Sequence, residues 1–286
     1  MTDFIDSSAT LDSRQFLIAV KRLADSLNYG MDSSPFRGAG LEYVESRPYQ
    51  PGDPVKSIDW RVTARTRRVH VKEYEAPRQL PVYLLVDTSA SMTIRSGKHS
   101  KYEQAVFVAG GIALACLDRL SPVGMMSVGA RSLHVRPSLS KDQIMQWLYQ
   151  LRKVCYDEDT QLAAGISELS PRLTHRALII VLSDLHDSDS LPVLKQLGQR
   201  HDCVVLQFRD PAESSVRGAG FIRAREAESG VSFSTHGRAT WFDQERTAEE
   251  LARVSIDHLL IDVDRPYVHR LRHFFRFRGV LTRGAR

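Results

Sequence analysis

Two runs of consecutive apolar residues mark the pattern of the chain. Residues 82–86 and 177–182 carry no charged side chain, and they end at Asp87 and at Ser183-Asp184, respectively. Runs of this length without alternation are typical of strands that are buried on both faces of a parallel sheet. Shorter apolar segments predict two more strands, at 203–208 and 259–263.

Segments with helical spacing separate these strands. They cover residues 102–120, 142–154, 161–169 and 191–199, and a further helix is predicted near the start of the chain, at 14–29. Strands that alternate with helices indicate an α/β fold with a doubly wound, mostly parallel sheet. Residues 123–128 and 133–137 are joined too tightly for a parallel crossover, so we expect an antiparallel strand at one edge of the sheet.

The chain divides by composition near residue 80. Residues 41–80 are polar, basic and aromatic, whereas the alternation of apolar strands and helices begins at residue 81. The length of 286 residues is enough for about two domains. We therefore expect an N-terminal segment over 1–80 and an α/β domain over 81–286.

Charge and cysteine content point to an ordinary globular protein in a reducing compartment. Hydrophobic residues make up 42% and charged residues 26%, which excludes a disordered, collagen-like or coiled-coil chain. The three cysteines are far apart and lack the spacing of a zinc site. We expect no signal peptide, because residues 1–14 carry three aspartates and no apolar stretch. The longest uncharged apolar run, 105–117, is shorter than the roughly 20 residues of a membrane span. A cytoplasmic protein without a membrane span is the expectation.

Oxygen-bearing side chains collect where the predicted strands end. The group consists of two carboxylates and three hydroxyls: Asp87, Ser89, Ser91, Thr160 and Asp184. Ligands of open α/β sheets bind at the carboxyl ends of the strands, and hard oxygen donors suit Mg²⁺. The same residues would also serve as turn and helix-capping residues. Asp157, Glu158, His186, Asp187 and Asp189 lie nearby, where the favoured interpretation is solvated loop charges.

The D-x-S-x-S triplet at the end of a buried strand resembles the metal-ion-dependent adhesion site of von Willebrand factor A domains. Asp87, Ser89 and Ser91 match the triplet, Thr160 matches the threonine of the second loop, and Asp184 matches the aspartate of the third loop. The resemblance implies a von Willebrand A-like fold and a bound Mg²⁺ or Mn²⁺. It also implies that the ion helps to bind a carboxylate of a partner protein.

The first third of the chain resembles a second family signature. Residues 34–40 (SPFRGAG), 49–53 (YQPGD) and 58–66 (IDWRVTART) are similar to the DUF58 family, whose members contain a von Willebrand A-like domain. Proteins of that family typically work beside MoxR-type AAA+ ATPases. The resemblance therefore implies a non-catalytic adaptor or co-chaperone that binds such an ATPase and its client.

Two other classes of function remain as alternatives. A metal-dependent hydrolase or phosphatase would use the same carboxylates, but the chain contains no D-x-D phosphatase motif at Asp87, no phosphate loop, no G-x-S-x-G and no H-E-x-x-H. Nucleic-acid binding would use the basic residues around Trp60 or the seven arginines after residue 264. For the Trp60 region we favour a surface strand or loop with the indole buried, because nearby acidic residues dilute the charge.

Overall fold

The computed structural model describes residues 2–4, 13–28, 42–75, 80–129, 133–155, 160–187, 189–214, 221–225, 232–236 and 244–281. The chain forms two compact units. One contains Met1–Phe36 and Pro81–Arg286, and the other is Arg37–Leu80. The first helix of the chain thus groups with the α/β unit.

The elements follow one another in the order that the sequence pattern predicts, with several short additions. The strands are β1 (Thr2–Phe4), β2 (Glu42–Pro48), β3 (His70–Glu75), β4 (Val82–Asp87), β5 (Val123–Val128), β6 (His134–Ser138), β7 (Lys153–Cys155), β8 (Leu178–Ser183), β9 (Asp202–Arg209), β10 (Phe221–Arg225), β11 (Ser232–His236) and β12 (Asp257–Asp262). The helices are α1 (Ser13–Asn28), α2 (Trp60–Thr66), α3 (Ala90–Thr93), α4 (Lys101–Asp118), α5 (Lys141–Leu151), α6 (Leu162–Leu169), α7 (Ser190–Gly198), α8 (Pro211–Ser214), α9 (Gln244–Arg253) and α10 (Val268–Leu281).

A six-stranded sheet forms the centre of the larger unit, in the order β12-β9-β8-β4-β5-β6. Every neighbouring pair is parallel except β5–β6, which is antiparallel. The α/β fold with a mostly parallel sheet and an antiparallel edge strand is confirmed. All residues of β4, β5 and β8 are buried, which explains why their sequences do not alternate.

Helices cover both faces of this sheet. On one face, residues of α6, α7 and α9 pack with alternate residues of the central strands, such as Leu85, Val181 and Val205. Helix α4 packs against the same strands, and most of its residues are buried all round. Two consecutive glycines let α1 approach α4 closely: a Cβ on Gly111 would lie 2.5 Å from Cδ2 of Leu23. This contact is the reason that α1 belongs to the larger unit.

The smaller unit is a β-hairpin whose connection contains a helix. Strands β2 and β3 pair in antiparallel register, and α2 lies between them in sequence. Asp59 caps α2 by accepting hydrogen bonds from the backbone N–H groups of Arg61 and Val62. The predicted surface strand or loop around Trp60 is therefore wrong. The indole is also not buried, because Trp60 is 68% exposed.

The remaining differences between the predicted and the observed secondary structure involve short elements whose sequences show no periodic pattern. Helix α5 ends at Leu151 rather than at the predicted residue 154, and the next residues form β7, which pairs with β1. Strands β10 and β11 form a separate antiparallel pair. Across the described residues, no helix combines the length and apolar character needed to cross a bilayer.

Candidate metal centre

The candidate site lies where the order of the sheet reverses. Strand β4 continues through α4 to β5 on one side, and β8 later joins β4 on its other side. In open α/β sheets such a reversal leaves a crevice beyond the carboxyl ends of the two strands. Asp87 is the last residue of β4, and Asp184 directly follows β8. Topology therefore places both predicted carboxylates at this crevice.

The first carboxylate is held by a local turn and by the neighbouring strand. Oδ1 of Asp87 accepts a hydrogen bond of 3.0 Å from the backbone N–H of Ser89, and Oδ2 accepts one of 2.5 Å from the hydroxyl of Ser183. The hydroxyl oxygens of Ser89 and Ser91 lie 3.0 Å apart. The D-x-S-x-S triplet thus forms one compact turn that is buried with its carboxylate.

The second carboxylate has an ammonium group as its partner. Nζ of Lys101, at the first residue of α4, donates to Oδ2 of Asp184 over 2.7 Å and also to Oε1 of Glu213 in α8. Nδ1 of His186 lies 3.5 Å from the same Asp184 oxygen. The backbone carbonyl of Asp184 accepts a hydrogen bond of 3.1 Å from Gln207 in β9. Lys101 of α4 and Gln207 of β9 therefore fix Asp184 from two other elements.

This arrangement gives the two carboxylates opposite pKa shifts. Burial, together with the negative charge of Asp184, raises the pKa of Asp87 to about 7. Burial also opposes ionisation of Asp184, but the charges of Lys101 and His186 and hydrogen bonds from Lys101 and Ser91 outweigh it, so the pKa of Asp184 is lowered. Among the described residues, Asp184 thus has cationic partners that favour its ionised form, whereas Asp87 has none.

Thr160 lies close to the start of α6, at the same edge of the sheet. Oδ2 of Asp187, in the loop after β8, accepts a hydrogen bond of 3.0 Å from the backbone N–H of Ala163 in α6. This bond brings the start of α6 beside that loop, and Thr160 is half-buried two residues before the helix. Asp187 thus has a structural role rather than being a solvated loop charge. Asp157 and Glu158 lie outside the described residues.

The loop between α3 and α4 closes over the ends of two further strands. The backbone N–H of Ser96 donates to Oδ2 of Asp210, which follows β9, over 2.8 Å. The backbone N–H of Lys98 donates to Oδ2 of Asp264 over 2.7 Å, and Nδ1 of His99 lies 2.8 Å from Oδ1 of the same carboxylate, which follows β12. Two acidic residues therefore anchor the segment that leads into Lys101.

Lys101 and Glu213 were not among the predicted site residues. One signal in the sequence pointed to the lysine, because a cation in the first turn of a helix opposes the helix dipole and needs another reason to be there. No comparable signal marked Glu213, which lies 112 residues away in sequence. Among the described residues, Asp184, His186 and Glu213 also bring one potential metal-ligand atom each within 4.8 Å of one another. The ammonium of Lys101 already bonds two of them.

Comparison with known proteins places this chain in a family. Residues 45–250 match the family described as "Protein of unknown function DUF58". The chain belongs to the DUF58 family. The match includes most of the smaller unit, the central part of the larger unit, and Asp87, Ser89, Ser91, Thr160 and Asp184.

Two relatives of this DUF58 protein, both described as uncharacterized proteins, are similar to it over most of its length. It is 27% identical over 234 residues to the uncharacterized protein Rv1480 of Mycobacterium tuberculosis (strain H37Rv), covering 80% of this chain and 74% of the relative. It is 23% identical over 196 residues to YeaD of Bacillus subtilis (strain 168), covering 68% of this chain and 47% of YeaD. A solved structure, that of the SpRpn10 VWA domain, is similar with a TM-score of 0.42 and 10% identity, covering 67% of this chain and 93% of that one.

The donor set of the DUF58 chain fits a hard divalent cation. Asp87, Ser89, Ser91 and Asp184 are neighbours, and all their side-chain ligand atoms are oxygens, as Mg²⁺ and Mn²⁺ prefer. With Asp87 ionised, the three carboxylates of Asp87, Asp184 and Glu213 outnumber the ammonium of Lys101, which leaves negative charge for a divalent ion to neutralise. Ligation by these residues and by Thr160 stays a prediction.

Proposed function

We propose that this protein is a non-catalytic adaptor that binds a partner protein with the help of Mg²⁺ or Mn²⁺ at the carboxyl edge of the sheet. Asp87, Ser89, Ser91, Thr160 and Asp184 would hold the ion. The observation that carries the proposal is the buried Asp87 carboxylate, which has hydroxyl neighbours but no cationic partner among the described residues. When bound, the ion would supply positive charge and open coordination positions for an acidic side chain of the partner.

We propose a MoxR-type AAA+ ATPase, or its client, as the partner. The support is the family resemblance: proteins similar to this one typically work beside such ATPases. An adaptor for a nucleotide-driven machine belongs in the cytoplasm, where ATP is available. The half-exposed imidazole of His186, 3.5 Å from Asp184, gives the partner a polar contact at the border of the site.

The metal is tested first by its effect on thermal unfolding. A ligand that binds only the folded state stabilises it by about 2.7 kcal/mol at a free concentration of 100 times Kd. We expect Mg²⁺ or Mn²⁺ to raise the Tm of the chelator-treated wild type and to have no such effect on D87A. Asp142→Ala, at an exposed carboxylate in α5, is the matched control and should respond like the wild type. An unchanged metal response in D87A would place the ion elsewhere.

Turnover separates the adaptor from the hydrolase alternative. A serine nucleophile needs an adjacent base, and in this proposal the carboxylates that Ser89 and Ser91 contact, Asp87 and Asp184, are ligands of the ion instead. We expect no phosphatase or esterase turnover with Mg²⁺, but metal-dependent capture of a purified MoxR-type ATPase that D184A weakens. Turnover that D87A abolishes would favour the hydrolase instead.

The exposed Trp60 supports a second candidate function, binding of single-stranded nucleic acid by the smaller unit. Four exposed arginines surround it in sequence: Arg61, Arg65, Arg67 and Arg68. The two acidic residues between positions 48 and 69 do not offset them, because Asp53 pairs with Arg47 and Asp59 is buried as a helix cap. An exposed indole among arginines suits stacking on bases beside a phosphate backbone.

Binding of a fluorescent oligo(dT) tests this second function. Its affinity for the wild type should fall steeply with salt, and Trp60→Ala should lower it about tenfold, since one stacked base is worth ~1–3 kcal/mol. Tyr149→Ala, at an exposed aromatic of α5, is the control and should bind like the wild type. Absence of binding at low salt would exclude the nucleic-acid function of this surface.

A further inference from the structure

Lys101 is a lysine with no exposed surface, located inside the candidate metal centre. Its side chain is 0% exposed, and its ammonium bonds the carboxylates of Asp184, which is equally buried, and of Glu213. Burying an ammonium group costs free energy unless carboxylates neutralise it, and burying a carboxylate costs free energy unless a cation neutralises it. Lys101 and Asp184 therefore depend on each other for their burial.

The ammonium also joins three segments at the carboxyl edge of the sheet. Lys101 begins α4, Asp184 follows β8, and Glu213 lies in α8, just after β9. Glu213 is itself fixed, because its Oε2 accepts a hydrogen bond of 3.2 Å from the backbone N–H of Asp210. Ions held between protein loops commonly have this bridging role, and here a side chain performs it.

Asp87 is excluded from this network. Its two carboxylate oxygens accept hydrogen bonds from Ser89 and Ser183, which are neutral donors. The site therefore contains one carboxylate that a tethered cation satisfies and another that only neutral groups satisfy. A divalent ion would gain most of its electrostatic attraction from the second.

We propose that Lys101 is a tethered cation that neutralises Asp184 and keeps the loops of the site assembled when no metal is bound. Asp87 is then the carboxylate that attracts the ion most strongly. Lys101 is a positioning residue, and by neutralising Asp184 it lowers the negative charge that the ion meets in the site. Loss of the ion would not unfold the site, because the loops that carry Asp87, Asp184 and Glu213 would keep their positions. The metal could then bind and dissociate without refolding of these loops.

The first arm of the test uses chelator-treated protein and needs no metal binding. Lys101→Met keeps the length of the side chain and removes its charge, which leaves Asp184 buried without a partner. We expect its Tm to lie about 10 °C below that of the wild type. Adding Asp184→Asn removes the unpaired charge, and K101M/D184N should recover most of that loss. If D184N fails to restore K101M, the proposal is overturned.

The second arm adds Mg²⁺ and rests on the proposed function. In K101M the ion takes over the charge of the lysine, so its Tm should rise at least twice as far as that of the wild type. Arg278→Met is the matched control, because Arg278 is also buried between two carboxylates, Asp202 and Asp257, at the amino edge of the sheet. It should lose stability with a metal response equal to that of the wild type.

The two arms distinguish failure of this inference from failure of the proposed function. A metal response in K101M but not in the wild type supports the tethered cation and rejects a metal in the native site. Equal, non-zero responses in both proteins overturn the tethered cation and leave the metal in place. If Mg²⁺ changes the Tm of neither the wild type nor K101M, the proposed metal site is rejected. The role of Lys101 is then decided by whether D184N restores the Tm of K101M.

Discussion

Replacing Arg278 by methionine should destabilise the protein by about 3 kcal/mol, because it leaves two partly buried carboxylates without their counter-charge. Nε of Arg278 donates to Oδ2 of Asp257 over 2.8 Å, and Nη2 bonds Asp202. Only 5% of the Arg278 side chain is exposed, whereas 37% of that of Asp202 is, which keeps the cost at the lower end of ~3–5 kcal/mol. Urea unfolding followed by far-UV circular dichroism measures the change.

Two further variants show whether charge or packing causes this loss. Arg278→Lys keeps the charge but carries its donors on one nitrogen, whereas Arg278 reaches Asp257 through Nε and Asp202 through Nη2, so the variant should fall between the wild type and R278M. Combining R278M with Asp257→Asn should recover part of the loss, since burial already raises the pKa of Asp257 and favours its neutral form. A free energy of unfolding of R278M within 0.5 kcal/mol of the wild-type value, about the change expected at an ordinary surface position, would contradict the argument.

The buried strands could be predicted because their sequences are apolar at consecutive positions and must therefore be covered on both faces. Strands β4 and β8 consist of consecutive apolar residues, which are soluble only when both faces of the sheet are covered. The pair β1–β7 was not predictable, since each strand has three residues and no periodicity extends over so short a segment. Helix α2 was missed for a related reason: seven residues rich in arginine show no apolar stripe, and the cap at Asp59 is its main signal.

The candidate site was predictable only as far as its residues are close in sequence or end a strand. The turn from Asp87 to Ser91 is local, and Asp184 follows from the order of the strands. The pairing of Lys101 with Asp184 joins residues 83 positions apart, and that with Glu213 joins residues 112 apart. Their partnership depends on the packing of α4 against the sheet, which periodicity alone does not determine. The sequence alone therefore could not predict that Lys101 pairs with Asp184 and not with Asp87.

The electrostatic asymmetry between the two carboxylates predicts that the Asp87 carboxyl contributes a loss of stability to the metal-free protein as the pH rises from about 4 to about 7. The carboxyl of Asp87 ionises near its ordinary pKa of 3.8 in the unfolded chain but near 7 in the folded protein. Between these values the folded state retains a proton that the unfolded state has released, so the free energy of unfolding falls with rising pH. One such group lowers it by at most ~1.4 kcal/mol per pH unit.

Asp87→Asn isolates this contribution, because asparagine resembles the protonated carboxyl and does not titrate. In the presence of a chelator, the wild type and D87N should have similar Tm values at pH 4, and D87N should be the more stable protein at pH 8. Other titrating groups, such as His258, whose burial lowers its pKa to about 4, affect both proteins alike and cancel in the difference. A constant difference in Tm from pH 4 to 8 would show that Asp87 ionises normally.

Mg²⁺ should reverse the order of the two proteins at high pH. The ion and the proton compete for the Asp87 carboxylate, so the stabilisation of the wild type by Mg²⁺ should be small at pH 5 and large at pH 8. D87N lacks this carboxylate and should show little stabilisation at either pH. Proton release on addition of Mg²⁺, measured with a pH indicator near pH 7, should accompany binding to the wild type and be absent in D87N. Metal stabilisation of the wild type that does not change with pH would mean that Asp87 is not a ligand, and it would redirect the search to Asp184, His186 and Glu213.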